Sequence, residues 1–216
     1  MSAHTPPRVK FCGLTREQDI QAALAAGAHA LGLVCYPPSP RYVTLDRAEQ
    51  LAKLVPAFVD LVALVVDVDA EQLDRIVQSM RPSLIQFHGL ETPEQCQALA
   101  ASVNRRWIKA LRVNTDMDVA AQVRAFMAAG ASSVLLDAYH PNLLGGTGHR
   151  VSLESLPNLP EPWILAGGLN PDNAKQAYEQ AAALGCYALD VSSGIEQAPG
   201  IKDQELMQRF MQALRS

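Results

Sequence analysis

With 49% of its 216 residues apolar and 19% charged, the chain has the composition of an ordinary globular protein, long enough to bury a full core. A formal net charge of -4, with no cluster of Lys or Arg, excludes a nucleic-acid footprint. No run reaches the roughly 18 uninterrupted apolar residues of a membrane span, and the leading MSAHTPP carries no apolar signal-peptide core, so a cytoplasmic location is expected.

In chain order, apolar runs rich in β-branched residues alternate with helical periodicity. Arg8 to Phe11 predicts a first strand and Glu17 to Ala26 a first helix; Ala30 to Cys35 precedes a helix over Leu45 to Leu54. Asp60 to Val66 is followed by Glu71 to Met80, Leu84 to Phe87 by Pro93 to Ser102, and Trp107 to Leu111 by Met117 to Ala129. A sixth strand, Ser133 to Leu136, leads only to a short helical signal near Ser152 to Leu156. Trp163 to Leu165 then pairs with a helix over Asn173 to Ala183, and Ala188 to Val191 with one over Gln204 to Leu214.

Strands that alternate with helices are parallel, and near-continuous apolar strands imply a sheet covered on both faces. Eight such units in one α/β domain spanning 1–216 predict a single-domain (β/α)8 barrel of the TIM type, compact at about 27 residues per unit beside roughly 250 residues in all for that fold. A doubly wound sheet is the rival, but it binds phosphate after its first strand, and the FCGLT turn there lacks the G-x-G-x-x-G spacing.

Three glycine-bearing stretches fall after predicted strands: GGTG at Gly145 to Gly148, Gly167 with Gly168, and SSG at Ser192 to Gly194. Glycine lets a ligand approach the backbone and lets successive amides converge on an anion. Their joint placement predicts a phosphorylated small-molecule substrate held by Gly146, Thr147, Gly167, Gly168, Ser192, Ser193 and Gly194, the last two stretches following strands seven and eight as in many such barrels.

Cys12 closes the first strand and projects at the same rim. Thr15 and Gln18 fit a capping box that would start a helix beside the thiol; a free thiol, with a pKa of about 8.5, needs such help to act as a base at neutral pH. Asp137 ends strand six and is the candidate general acid. Arg41, held by the proline-rich CYPPSPRYV loop, is placed to clamp a carboxylate through two parallel hydrogen bonds. His88 in QFHG ends strand four and is expected to contact substrate. Asp67 and Asp190, also at strand ends, read as helix caps or loop braces. Cys35, Cys96 and Cys186 read as small core residues; no C-x-x-C or paired-histidine spacing suggests a metal or a disulfide.

FCGLT, SPRYV (Ser39 to Val43), QFHG, LLDA (Leu135 to Ala138), GGTG, LAGGLNPDN (Leu165 to Asn173) and LDVSSGIEQAPGIKD (Leu189 to Asp203) together resemble phosphoribosylanthranilate isomerase over essentially the whole chain, in order. The resemblance implies a cofactor-free, metal-free Amadori rearrangement in tryptophan biosynthesis, with Cys12 as general base and Asp137 as general acid. The chain departs from the family pattern at Cys35, at Asp67 and at His149 to Ser152, which bears on the shape of the pocket. Two other readings stay open: a related barrel such as indole-glycerol-phosphate synthase or a sugar-phosphate epimerase, and a phosphometabolite-binding barrel without catalysis. The chain is expected to act as a monomer or homodimer.

Overall fold

The computed structural model describes residues 6–137, 153, 156, 157, 159 and 161–215. Eight parallel strands close into a barrel in chain order: β1 (Arg8–Cys12), β2 (Ala30–Val34), β3 (Asp60–Val65), β4 (Leu84–Phe87), β5 (Arg106–Arg112), β6 (Ser133–Asp137), β7 (Trp163–Ala166) and β8 (Cys186–Val191). β8 returns to β1, with Val9 beside Leu189 and Phe11 beside Val191. The barrel expected from the alternation of elements is the one observed.

Side-chain alternation along each strand explains why the barrel closes. Phe11, Leu33, Val65, Phe87, Leu136 and Leu165 point outward into the main core beneath the helices, while Ile108, Ala110, Leu135, Ile164, Ala166 and Ala188 fill part of the interior. The same alternation places the polar Lys10, Gln86 and Asp190 inside, all buried.

Helices α1 (Glu17–Ala26), α2 (Leu45–Ala52), α3 (Ala70–Met80), α4 (Pro93–Ser102), α5 (Val119–Ala128), α6 (Ala174–Ala182) and α7 (Gln204–Ala213) surround the barrel. Side-chain caps fix most of their starts: Thr44, Asp69, Thr92, Asp118 and Asp203 each accept from the amide three residues on. Asp118 explains why α5 begins later than Met117. The expected capping box at Thr15 is not formed. α1 starts at Glu17, so Arg16 is its N-cap, and the Thr15 hydroxyl donates instead to the Gly200 carbonyl at 2.5 Å. A tertiary acceptor has overridden the local pattern.

An antiparallel hairpin, β9 (Glu196–Ala198) and β10 (Ile201–Lys202), follows β8 and was not signalled by periodicity. Of the short helix expected near Ser152 to Leu156, only Leu153 and Leu156 are described; both are buried, and the Leu156 amide donates to the Leu153 carbonyl.

Candidate active site

The C-terminal ends of the strands open into a cavity of about 970 Å3. Cys12 at the end of β1 and Asp137 at the end of β6 both line it, and three strand positions separate them around the eight-stranded ring. Two predicted proton-transfer groups therefore share one space.

Cys12 is only 5% exposed. Burial pushes its thiol pKa up, the Lys10 ammonium pulls it back down, Asp190 pushes it up again and Lys202 lowers it; the net direction is upward. The start of α1 lies five residues further along, beyond the single turn over which a helix end acts strongly, so the charges that tune this thiol are those of Lys10, Asp190 and Lys202 and not the helix. Cys35, Cys96 and Cys186 are buried core thiols, as expected, with burial pushing them up to about 12, 12 and 11. Cys35 is thus part of the core and not of the pocket wall.

Arg41 lines the cavity, but its fork is already engaged. Nε and Nη2 donate to the two carboxylate oxygens of Glu196 at 2.8 and 2.7 Å. The two parallel hydrogen bonds expected for a ligand carboxylate are made here by Glu196, on β9, and among the described residues Nη1 is left without an acceptor. Glu196 also accepts from Lys202 at 2.7 Å and from the Gly200 amide. Burial would raise the Glu196 pKa, yet Arg41 and Lys202 hold it below the usual carboxylate value.

His88 lines the wall beside Asp137. Burial lowers its pKa, opposed by Asp137 and Asp190, so the ring is neutral near pH 7. The Gln86 amide lies 3.3 Å from Nδ1; donating there, it leaves the ring proton on Nε2. Asp67 lines the cavity and braces its rim, accepting from the Leu90 amide at 2.7 Å, as its strand-end position suggested. Asp190 is neither cap nor brace: it lies on β8 inside the barrel and pairs with Lys10 at 2.8 Å.

Gly167, Gly168, Ser192 and Ser193 line the side of the cavity near β7 and β8. Gly167 and Gly168 both have positive φ, 95° and 57°, and among the described residues no acceptor takes their amides or that of Ser192. Such amides suit an anion. The Ser192 hydroxyl has another duty, donating to the Cys12 carbonyl at 3.0 Å and tying β8 to β1. Gly194 is off the wall: a Cβ there would lie 1.8 Å from the Leu169 carbonyl, so this glycine serves backbone packing. Gly194→Ala is expected to destabilise the fold by about 1–3 kcal/mol through overpacking, seen as a lowered melting temperature; an unchanged melting temperature would overturn that role. The predicted Gly146 and Thr147, with the rest of GGTG and with His149 to Ser152, lie outside the described residues.

Glu196, Lys202, Lys10 and Gln86 were missed as functional positions. For two of them a signal existed: Lys10 and Gln86 are polar residues flanked on both sides by apolar ones within their strands, each two residues before a predicted site residue and therefore on its face.

The fold is an α/β barrel with a cavity at the C-terminal ends of its strands, the face on which enzymes of this architecture carry their active sites. Residues 9–213 match the family model for N-(5'-phosphoribosyl)anthranilate (PRA) isomerase. The chain is 49% identical over 208 residues to the N-(5'-phosphoribosyl)anthranilate isomerase of Acinetobacter calcoaceticus, covering 96% of each chain. Its fold is similar to the crystal structure of TrpF from Jonesia denitrificans, with a TM-score of 0.81, 31% identity and 97% of each chain covered. It is also similar to a phosphoribosyl anthranilate isomerase solved with reduced 1-(o-carboxyphenylamino)-1-deoxyribulose 5-phosphate, with a TM-score of 0.78, 29% identity and 97% and 98% coverage. The chain belongs to the phosphoribosylanthranilate isomerase family and is an isomerase.

Proposed function

We infer that the protein converts N-(5-phosphoribosyl)anthranilate into 1-(2-carboxyphenylamino)-1-deoxyribulose 5-phosphate, the Amadori rearrangement of tryptophan biosynthesis, in the cytoplasm. The observation that carries the reading is the thiol of Cys12 and the carboxyl of Asp137 lining one cavity in a member of this family. Asp137 protonates the furanose ring oxygen, and the ring opens to an iminium. Cys12 removes the proton from C2', and the resulting enolamine tautomerises to the ketone. The sequence needs one acid and one base and no cofactor.

The remaining residues bind. The amides of Gly167, Gly168 and Ser192 receive the phosphate, with Ser193 beside them, and the Gly146 and Thr147 segment is assigned to the same end. Arg41 offers Nη1, which has no acceptor among the described residues, to the anthranilate carboxylate, with Glu196 fixing the angle of the guanidinium. The neutral His88 donates from Nε2 into the cavity. No helix among the described residues is long and apolar enough to cross a membrane, and the partner is a small phosphorylated substrate.

Purified protein is expected to abolish the fluorescence of phosphoribosylanthranilate with saturable kinetics and no added metal or cofactor. Binding of a reduced product analogue without any turnover would point to a binding protein in its place.

A further inference from the structure

We propose that Lys10, backed by Asp190, is the positioning residue that stabilises the thiolate form of Cys12 when the thiol gives up its proton, its ammonium lying inside the barrel alongside the sulfur. The inference rests on the reading of Cys12 as the base. Lys10 precedes Cys12 by two residues on β1, so both side chains enter the interior from the same face of the strand. Its Nζ donates to the Asp190 carboxylate at 2.8 Å, with both side chains at most 10% exposed.

The neighbouring strand makes room for the pair. Gly32 on β2 stands in register with Cys12, and a Cβ at Gly32 would lie 3.0 Å from the Cys12 sulfur and 3.1 Å from the Lys10 nitrogen. Thiol and ammonium therefore converge on a space that exists because Gly32 has no side chain. An ammonium has three donors, and Asp190 is the acceptor recorded for Lys10 among the described residues, so donors remain for a sulfur anion.

The charges around Cys12 come from four elements: Lys10 on β1, Asp190 on β8, Lys202 on β10 and Arg41 in the loop after β2. Lys202 and Arg41 are committed to Glu196. After burial, Lys10 is the strongest influence on the thiol and acts to lower its pKa, while Asp190 acts to raise it. Burial alone would also pull the Lys10 ammonium down, but Asp190 and Cys12 hold it above its ordinary value, so it stays charged. Asp190 thus keeps the cation in place, at the expense of some of its pull on the thiol.

These opposed signs give a test that a merely structural pair would fail. In the full-length protein, alkylation of Cys12 by iodoacetamide is followed across pH by peptide mass spectrometry, with the three core cysteines as slow internal references. Lys10→Met combined with Asp190→Asn removes both charges, so no lone ion is buried; the Cys12 midpoint is expected to rise by about one unit or more, slowing labelling about tenfold below the midpoint. Asp190→Asn alone is expected to lower the midpoint. An unchanged midpoint in the double variant, or an upward move in both, would overturn the proposal. Retained turnover in Cys12→Ser would sink the base reading instead, and the midpoints would still report the pull of Lys10.

Discussion

A Cys12→Ser variant is expected to fold like the parent and to lose about 10²- to 10⁴-fold in kcat/KM. Serine preserves the size and the buried position of the side chain, which is only 5% exposed in a wall of Val34 and Leu64, so the melting temperature should hardly change. Chemistry is what changes: an alcohol has no accessible anion at neutral pH, and the Lys10 ammonium cannot make one. The check is the fluorescence assay beside a thermal melt, and near-parental turnover would remove Cys12 as the base. The parent should show kcat/KM rising with pH through neutrality. Burial holds the thiol above its ordinary value, so little thiolate exists at pH 7 and each step upward recruits more of the active form; the serine variant should lack this ascending limb.

The second large effect belongs to Asp137→Asn. Among the described residues the Asp137 carboxylate has no hydrogen-bond partner; the backbone of Asp137 stands in the strand ladder beside Arg112 and Ala166, and its carbonyl accepts from the Val113 amide. Losing the carboxyl therefore removes no bond to the described residues, and stability should stay within about 0.5 kcal/mol of the parent. Turnover should fall about 10²- to 10⁴-fold, because an amide of the same shape has no proton to deliver to the ring oxygen. Affinity for a reduced product analogue should persist. If ring opening and proton removal are successive parts of one conversion, combining Asp137→Asn with Cys12→Ser costs much less than the product of the single losses. Activity near the parental level in Asp137→Asn would reassign the acid.

Local pattern carried the architecture well and the site in part. Apolar runs set every barrel strand to within two residues, because a strand buried on both faces has to be apolar throughout. The place of Cys12, Asp137 and His88 on the cavity wall was legible for the same reason: a side chain just past such a run has to emerge at the rim. What stayed hidden is contact between distant parts of the chain. Lys10 and Asp190 are separated by 180 residues and Arg41 and Glu196 by 155, and periodicity cannot report which charges meet. Thr15 shows the converse failure, a correct local motif for a cap whose hydroxyl was taken by Gly200, 185 residues away. Gly194 sat in the right motif for the wrong reason, since the stretch after β8 both faces the cavity and packs against Leu169.

The clasp between the chain's two ends also bears on when the enzyme becomes competent. Ser192 bonds the Cys12 carbonyl, Gly200 takes the Thr15 hydroxyl, and Asp190 and Lys202 bring their charges to the first strand. During synthesis, when the amino-terminal part emerges first, Cys12 leaves the ribosome together with Lys10 but long before Asp190 and Lys202. The surroundings of Cys12 are thus completed only once residues 190–202 have been made and folded back onto the first strand.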